Sequence, residues 1–170
     1  MWNPGFPYLE HQTAELSGYH RAFCITSYHY RGSPGQPGLV LGLDRGGTCR
    51  GVAYRVDPTD WTDVITYLDK RELIGYPYRR AILPLRIGGS EIKCCTYVAD
   101  QTHPDYAGGL SLEESARVIT SATGIAGGNR DYLLQTIEQL ESHGYQDAAL
   151  HALVDRVESL ATKTNVYREI

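Results

Sequence analysis

Residues 57–75 read DPTDWTDVITYLDKRELIG, and this stretch decides how the chain on either side of it is interpreted. Asp57 is a residue type favoured at a helix N-cap, and Pro58 suits the first helical position because an N–H there has no helical partner. Gly75 is typical of the residue that follows a helix. The stretch therefore predicts a helix from Pro58 to about Leu73.

Strand-like segments lie on both sides of this helix. Apolar and aromatic runs between turn residues predict strands at 19–30, 39–43, 48–56, 80–87 and 91–99. A Gly/Pro turn at 32–38 separates the first two. Asp44-Arg45-Gly46-Gly47 is typical of a hairpin turn between the second and third, and Gly88-Gly89-Ser90 separates the last two.

The chain changes character from residue 111 onwards. Ser111 and Glu114 form a capping-box pattern, which predicts a helix to about Thr123. Residues 124–128 are interpreted as a Gly-rich turn between helices, because a phosphate-binding loop would have Lys-Ser/Thr after it and a strand before it. Two further helices are indicated by apolar residues at helical spacing: Leu133, Leu134, Ile137 and Leu140, then Leu150, Leu153, Val157 and Leu160.

The order of these elements predicts an α+β fold. Strands come first, helices come mostly last, and there is no repeating βαβ unit. A chain of 170 residues is long enough for one substantial core and too short for two. We therefore expect a single domain over residues 1–170.

Composition disfavours several classes of protein. The 16 basic and 20 acidic residues leave a net charge of -4, which argues against sequence-independent binding of nucleic acid. No apolar run reaches the roughly 18–20 residues that span a bilayer, and the N-terminal part lacks the apolar stretch of a signal peptide. We expect a soluble, cytosolic protein with no membrane segment.

Metal and redox sites have little support in the sequence. Cys24, Cys49, Cys94 and Cys95 contain no C-x-x-C pair, and the six histidines contain no H-x-x-x-H pair. Cys94 and Cys95 would point to opposite faces of a strand. We expect buried thiols and no metal site.

One carboxylate stands out on the predicted helix. Its apolar stripe comprises the residues at i, i+3, i+4 and i+7, which are Trp61, Val64, Ile65 and Leu68. Glu72 follows at i+11, within about 20° of the direction of Trp61. Burial and the negative end of the helix dipole would both favour the protonated form, as general acid/base chemistry requires. The alternative is an exposed last turn in which Glu72 pairs with Arg71 or Arg79, and spacing alone leaves both open.

Ordered motifs run along nearly the whole chain. They are Met1-Trp2-Asn3-Pro4-Gly5-Phe6, Tyr30-Arg31-Gly32 with Pro34, Pro37 and Gly38, Arg50-Gly51-Val52-Ala53-Tyr54-Arg55, Tyr67-Leu68-Asp69, Arg71-Glu72 with Gly75-Tyr76, Pro104-Asp105-Tyr106, and Gly128-Asn129 with Tyr132-Leu133. Read in this order, they resemble the ChaC family of glutathione-specific γ-glutamylcyclotransferases. Several motifs at compatible spacing are far more specific than any one of them.

The resemblance implies a mixed β-barrel flanked by helices, with the C-terminal helices packed on the barrel. It also implies an enzyme that cleaves glutathione to 5-oxoproline and cysteinylglycine without metal or cofactor. The family's catalytic glutamate falls in an Arg-Glu-x-Gly-Gly-Tyr motif, matched by residues 71–76 with Ile74 where a Gly is usual. By this match Glu72 is the catalytic candidate, and Met1, Arg31 and Tyr106 are substrate-binding candidates. Arg31 suits a carboxylate of glutathione.

One part of the family pattern has no counterpart here. A Tyr-Gly-Ser-Leu motif, whose backbone amides hold the γ-glutamyl group in the family, would stand just before Met1. We therefore expect a misassigned start, and a chain without the first strand and its loop. Each lost oxyanion donor costs about 10²–10³ in rate, so we expect very low activity. Two alternatives stay open: a binding or regulatory relative associated with cation transport, and a cyclotransferase for other γ-glutamyl amines.

Overall fold

The computed structural model describes residues 4–75 and 77–166, with side chains described up to residue 162. Its elements in chain order are β1 (Glu10–Ser27), β2 (Gly38–Arg55), α1 (Trp61–Glu72), β3 (Tyr78–Ile87), β4 (Ser90–Ala99), α2 (Leu112–Ser121), β5 (Thr123–Gly124), β6 (Gly127–Gly128), α3 (Asn129–Ser142) and α4 (Ala148–Val166). Strands therefore come first and helices mostly last, and the predicted α+β class is confirmed.

The prediction of a hairpin turn at residues 44–47 is wrong. β2 continues through these residues as one strand of 18 residues, and β1 is equally long. Gly46 and Gly47 have φ values of 101° and 67°, and Gly18 in β1 has a φ of 82°. A Gly-Gly pair with positive φ suits a tight turn and also a local irregularity inside a strand, and the sequence does not distinguish the two.

The turn that joins β1 to β2 lies at residues 28–37, close to the predicted Gly/Pro turn. Its backbone is packed so tightly that a Cβ on Gly32 would lie 2.1 Å from the backbone nitrogen of Gly38. Only glycine fits there, because real Cβ atoms do not approach backbone so closely. The glycine that follows Arg31 in this motif is therefore required for steric reasons.

Helix α1 begins at Trp61, three residues later than predicted. Asp57 caps a turn before the helix, where its Oδ1 accepts hydrogen bonds from the backbone and hydroxyl of Thr59 at 2.9 and 2.7 Å. The helix ends at Glu72, one residue before the predicted end at Leu73, and Gly75 follows with a φ of 80°. The turn at Asp57 thus uses the carboxylate that was expected to cap the helix. Neither periodicity nor residue preference indicates which of the two structures an Asp will cap.

Strands β1 to β4 form one sheet in the order β2-β1-β3-β4. β3 and β4 pair antiparallel from Tyr78↔Ala99 to Ile87↔Ser90, and β1 pairs antiparallel with β3. Gly88 and Gly89 form the predicted turn between β3 and β4 with positive φ. Within the described residues β2 and β4 are the outer strands of this order, so the expected closure into a barrel is not confirmed.

The chain divides into two compact units. The first comprises residues up to His20 together with Leu43–Asp100, and the second comprises Arg21–Gly42 together with the chain from Gln101 onwards. β1 and β2 contribute to both units. Glu72 consequently belongs to the first unit, and Arg31 and Tyr106 belong to the second.

The second unit has an apolar core built from α2, α3, α4 and the strand segments that belong to it. The buried core residues are Phe23, Leu39, Ala116, Ile119, Leu133, Ile137, Leu140, Leu150, Leu153 and Val157. The predicted capping box at Ser111 and Glu114 is present and begins α2. Residues 124–128, expected to be a turn between helices, instead form the short hairpin β5–β6 together with Thr123.

Candidate active site

Glu72 is the last residue of α1, and its side chain is 16% exposed. Its Oε1 accepts a hydrogen bond of 2.8 Å from Nε of Arg71, whose side chain is 26% exposed. The ion pair proposed as the alternative interpretation therefore exists, but both partners are largely covered. The carboxylate is sheltered and paired at the same time.

The apolar stripe predicted for α1 is wrong at the first residue of the helix. Trp61 is 46% exposed, and Val64 is the only buried residue of α1. The helix therefore turns only a narrow part of its surface inward. Ile65 and Leu68 are half-buried, as Glu72 is. From Val64 onwards the stripe therefore faces inward, and Glu72 continues it as its spacing predicts.

Arg71 joins Glu72 to the N-terminal segment. Its Nη1 donates to the carbonyl oxygen of Pro4 at 2.8 Å and to the Tyr67 hydroxyl at 3.1 Å, and its guanidinium carbon lies 5.3 Å from the Tyr67 ring centroid. Although burial opposes the shift, the hydrogen bonds to Glu72 and Tyr67 raise the pKa of Arg71. The guanidinium is thus a permanent cation held between the carboxylate and the chain that enters β1.

Gly5 explains why the N-terminal segment can approach α1 so closely. Its φ is 72°, in the region that favours glycine, and a Cβ at this position would lie 2.3 Å from the Tyr67 hydroxyl oxygen. A side chain at this position would displace Tyr67 or the segment. Pro4 and Gly5 of the N-terminal motif therefore pack against Arg71 and Tyr67 of α1.

Arg31, the candidate for binding a substrate carboxylate, contacts the β5–β6 hairpin. Its Nη1 donates to the carbonyl oxygen of Ala126 at 2.6 Å and to that of Gly128 at 3.5 Å. The guanidinium carbon lies 4.9 Å from the Tyr132 ring centroid. These contacts hold the guanidinium at the start of α3, and its role toward a substrate stays a prediction.

Tyr106 is fixed against β1 in the second unit. It forms an isolated antiparallel bridge with Ile25, and the next residue, Ala107, donates its N–H to the carbonyl of Cys24 at 2.8 Å. Gln101 donates a hydrogen bond of 3.2 Å to the Tyr106 hydroxyl. The side chain is half-buried, so its phenol is anchored without being enclosed.

The structure places the four predicted site residues in different parts of the chain. Glu72 lies in the first unit, Arg31 and Tyr106 lie in the second, and Met1 lies outside the described residues, as does Tyr76 of the Arg71–Tyr76 motif. The contact between Arg71 and Pro4 was not predicted from the sequence. The pairing of Arg71 with Tyr67 has an i,i+4 signal, but no local pattern indicates the contact with Pro4.

Metal ligands are not clustered in the described part of the chain. Across residues 4–75 and 77–166, no group of three or more His, Cys, Asp or Glu side chains is placed to hold a metal ion. In the same residues, no helix has both the length and the apolar character needed to cross a membrane.

Comparison with known proteins gives consistent matches. Residues 1–160 match the model of a family described as ChaC-like protein. The chain is 35% identical over 161 residues to a glutathione-specific gamma-glutamylcyclotransferase of Escherichia coli K12, covering 94% of this chain and 70% of that protein. It is 32% identical over 167 residues to glutathione-specific gamma-glutamylcyclotransferase 1 of Mus musculus, covering 94% and 75% of the two chains.

The fold has a solved counterpart. A crystal structure of a gamma-glutamyl cyclotransferase specific to glutathione from yeast superposes with a TM-score of 0.79 at 20% identity, covering 91% of this chain and 92% of that one. At this identity the likeness concerns the fold alone. The family assignment depends on the family model, which matches nearly the whole length, and on the ordered motifs that include Arg71-Glu72. The chain belongs to the ChaC-like protein family.

Proposed function

We propose that this protein is a γ-glutamylcyclotransferase that converts glutathione to 5-oxoproline and cysteinylglycine. The observation that carries the proposal is the Glu72 carboxylate, which is 16% exposed and held by Arg71 at the end of α1. This carboxylate lies in the Arg-Glu motif of a family whose matched relatives are named for the same reaction. Glu72 acts first as general base and then as general acid.

The reaction needs one proton to be moved between two nitrogens. The α-amine of the γ-glutamyl group attacks its own γ-carbonyl carbon, and the new C–N bond closes a five-membered ring. The bond from that carbon to the cysteinyl nitrogen then breaks, and this nitrogen takes up a proton. Because the nucleophile belongs to the substrate, proximity is largely intramolecular, and the enzyme has to fold the substrate and transfer the proton.

Glu72 is suited to both steps. The substrate amine has a pKa of about 8, so a carboxylate must accept a proton from its ammonium form or from the attacking nitrogen. The hydrogen bond from Arg71 engages Oε1, and we assign Oε2 to the substrate amine. The same carboxyl group then returns the proton to the leaving cysteinyl nitrogen, so no water is consumed and no second catalytic acid is required.

The substrate-binding roles stay proposals that rest on the family resemblance. Arg31 would face a carboxylate of glutathione, and its contacts with the β5–β6 hairpin would keep the guanidinium in place. Tyr106 would form part of the pocket wall, with its position supported by the bridge to Ile25. Met1, outside the described residues, would contribute to the segment that holds the γ-glutamyl group.

Glu72→Gln tests the assignment. The variant keeps the shape of the side chain and the hydrogen bond from Arg71 but removes the base, so turnover should fall by at least about 10²-fold. Asp63→Asn is the matched control, because Asp63 is an exposed acid in the first turn of the same helix and should leave turnover unchanged. The assay is the formation of 5-oxoproline from glutathione, measured by mass spectrometry against an enzyme-free blank.

The outcomes separate the alternatives. An active Glu72→Gln variant would remove Glu72 from the catalytic role. Binding of glutathione by calorimetry without any 5-oxoproline, in a protein that carries the Tyr-Gly-Ser-Leu segment, would favour a binding or regulatory relative. Faster release of 5-oxoproline from other γ-glutamyl amines than from glutathione would change the substrate and leave the role of Glu72 intact.

Three further parts of the proposal concern the setting of the reaction. We propose that the chain forms one γ-glutamylcyclotransferase-like domain, that its sheet belongs to a barrel, and that it acts in the cytoplasm. The four cysteines are thiols in the structure, which supports a reducing compartment. One cooperative unfolding transition, the same by fluorescence and by circular dichroism, is expected of a single domain, and two separate transitions would contradict it.

A further inference from the structure

Asp69 lies three residues before Glu72 and connects α1 to the sheet. Its Oδ2 accepts a hydrogen bond from Nη1 of Arg80 at 2.7 Å, and its Oδ1 accepts one from the Tyr97 hydroxyl, also at 2.7 Å. Arg80 and Tyr97 are direct register partners in the β3–β4 pairing, so their side chains emerge on the same face. Both oxygens of one carboxylate are therefore bound to two neighbouring strands.

The three residues, named here the Asp69 clamp, are partly shielded from water. Tyr97 is 8% exposed, and the side chains of Asp69 and Arg80 are 32% and 44% exposed. Burial, together with the hydrogen bond to Asp69, raises the pKa of Tyr97, so its hydroxyl is protonated and donates at neutral pH. A charge-assisted hydrogen bond from a well-covered hydroxyl is the stronger kind.

The C-terminal end of α1 is held from two sides, since Arg71 contacts the N-terminal segment and Asp69 contacts the sheet. The helix has 12 residues, a length that is marginal in water without tertiary contacts, and Val64 in its first half is its only buried side chain. At the other end, the N–H of Leu73 donates to the carbonyl of Asp69 at 2.9 Å. Asp69 thus accepts the last backbone hydrogen bond of the helix through its carbonyl and contacts the sheet through its side chain. It does so one turn before Glu72.

We propose that Asp69, together with Arg80 and Tyr97, positions the last turn of α1 and thereby the Glu72 carboxylate for proton transfer. The proposal rests on the function proposed above. Asp69 is a positioning residue: it acts through the helix and not on the substrate. Since a displacement of about 1 Å at a reacting group can cost 10²-fold in rate, partial loosening of this turn should lower kcat more than it raises KM.

Two variants loosen the clamp by small steps. Tyr97→Phe removes one hydroxyl, and Asp69→Asn removes the charge that Arg80 contacts while leaving an oxygen for Tyr97. Each should lower kcat for 5-oxoproline formation by about tenfold and change KM by less than about twofold. Glu10→Gln is the matched control, because Glu10 forms an ion pair of 2.6 Å with Arg55 in the same unit, and it should change neither constant.

Amide hydrogen exchange provides a readout that does not depend on turnover. Exchange in peptides covering residues 69–75 should be about tenfold faster in both clamp variants than in the wild-type protein, and exchange in peptides of α2 should be unchanged. Unchanged exchange at 69–75 would overturn the clamp itself. Faster exchange with kcat no lower than in Glu10→Gln would overturn the positioning role. Absence of 5-oxoproline from a protein that carries the Tyr-Gly-Ser-Leu segment would reject the proposed function and the catalytic part of this proposal, while exchange would still report on the clamp.

Discussion

Asn129, the first residue of α3, stabilises the second unit by pairing with a strand backbone. Its side chain is fully buried, its Oδ1 accepts from the N–H of Leu39 at 2.6 Å, and its Nδ2 donates to the carbonyl of Leu39 at 2.7 Å. The amide therefore takes the place that a neighbouring strand would occupy beside Leu39. Asn129→Ala would remove both hydrogen bonds while shortening one side chain.

The expected loss of stability follows from the two backbone groups left behind. Leu39 is 1% exposed, so its N–H and carbonyl would be buried without a partner. Each such group costs about 1–3 kcal/mol, and water entering the space of the missing amide would offset a part. We expect Asn129→Ala to lower the free energy of unfolding by about 2–5 kcal/mol, a large part of the about 5–15 kcal/mol typical of a domain.

Equilibrium urea unfolding followed by circular dichroism measures this loss. Thr136→Val is the matched control on the same helix, since Thr136 is 1% exposed and its hydroxyl donates to the carbonyl of Tyr132 at 2.8 Å. The helical hydrogen-bond pattern supplies that carbonyl with a second donor, so this variant should lose less than about 1 kcal/mol. A loss of under 1 kcal/mol for Asn129→Ala, or equal losses for the two variants, would refute the argument from unsatisfied backbone groups.

Two further predictions concern the second unit. Gly38→Ala should destabilise the protein by at least about 1–3 kcal/mol in the same urea assay, because the added Cβ would lie 2.1 Å from the carbonyl oxygen of Arg31; an unchanged midpoint would contradict this. Hydrogen bonds from Arg156 and Arg117 lower the pKa of Glu113 from 4.5 to about 2, so its contribution is complete above pH 4.5 and lost as pH falls toward 2. Glu113→Gln should flatten the pH dependence of stability in that window, and an unchanged slope would contradict the assignment.

Much of the local structure could be predicted where a signal is short-range. The capping box at Ser111 and Glu114 begins α2, and the Gly88-Gly89 pair forms the turn between β3 and β4. The end of α1 at Glu72 was also predicted to within one residue. Each of these depends on backbone groups a few residues apart, so residue type and spacing carry the information.

The errors arose where one local pattern fits two structures. Gly46-Gly47 was interpreted as a hairpin turn, but β2 runs through it, and only pairing along the length of the strand decides between the two. Asp57 was expected to cap α1, but its carboxylate caps an earlier turn through Thr59. In each case the local sequence is compatible with either structure, and tertiary contacts determine which one forms.

The candidate site shows the same division between sequence and structure. The motif around Glu72 and its order among the other motifs identify the family and the catalytic candidate, because residue identity is a property of the chain alone. The apolar stripe wrongly placed the exposed Trp61 on the buried face, and it did not reveal the contacts of Arg71 with Pro4 or of Asp69 with Tyr97. Those contacts join residues far apart in sequence, so they exist only once the strands have paired and the N-terminal segment has packed on α1. The sequence alone determined which carboxylate is the candidate, and only the tertiary structure decided what holds it in place.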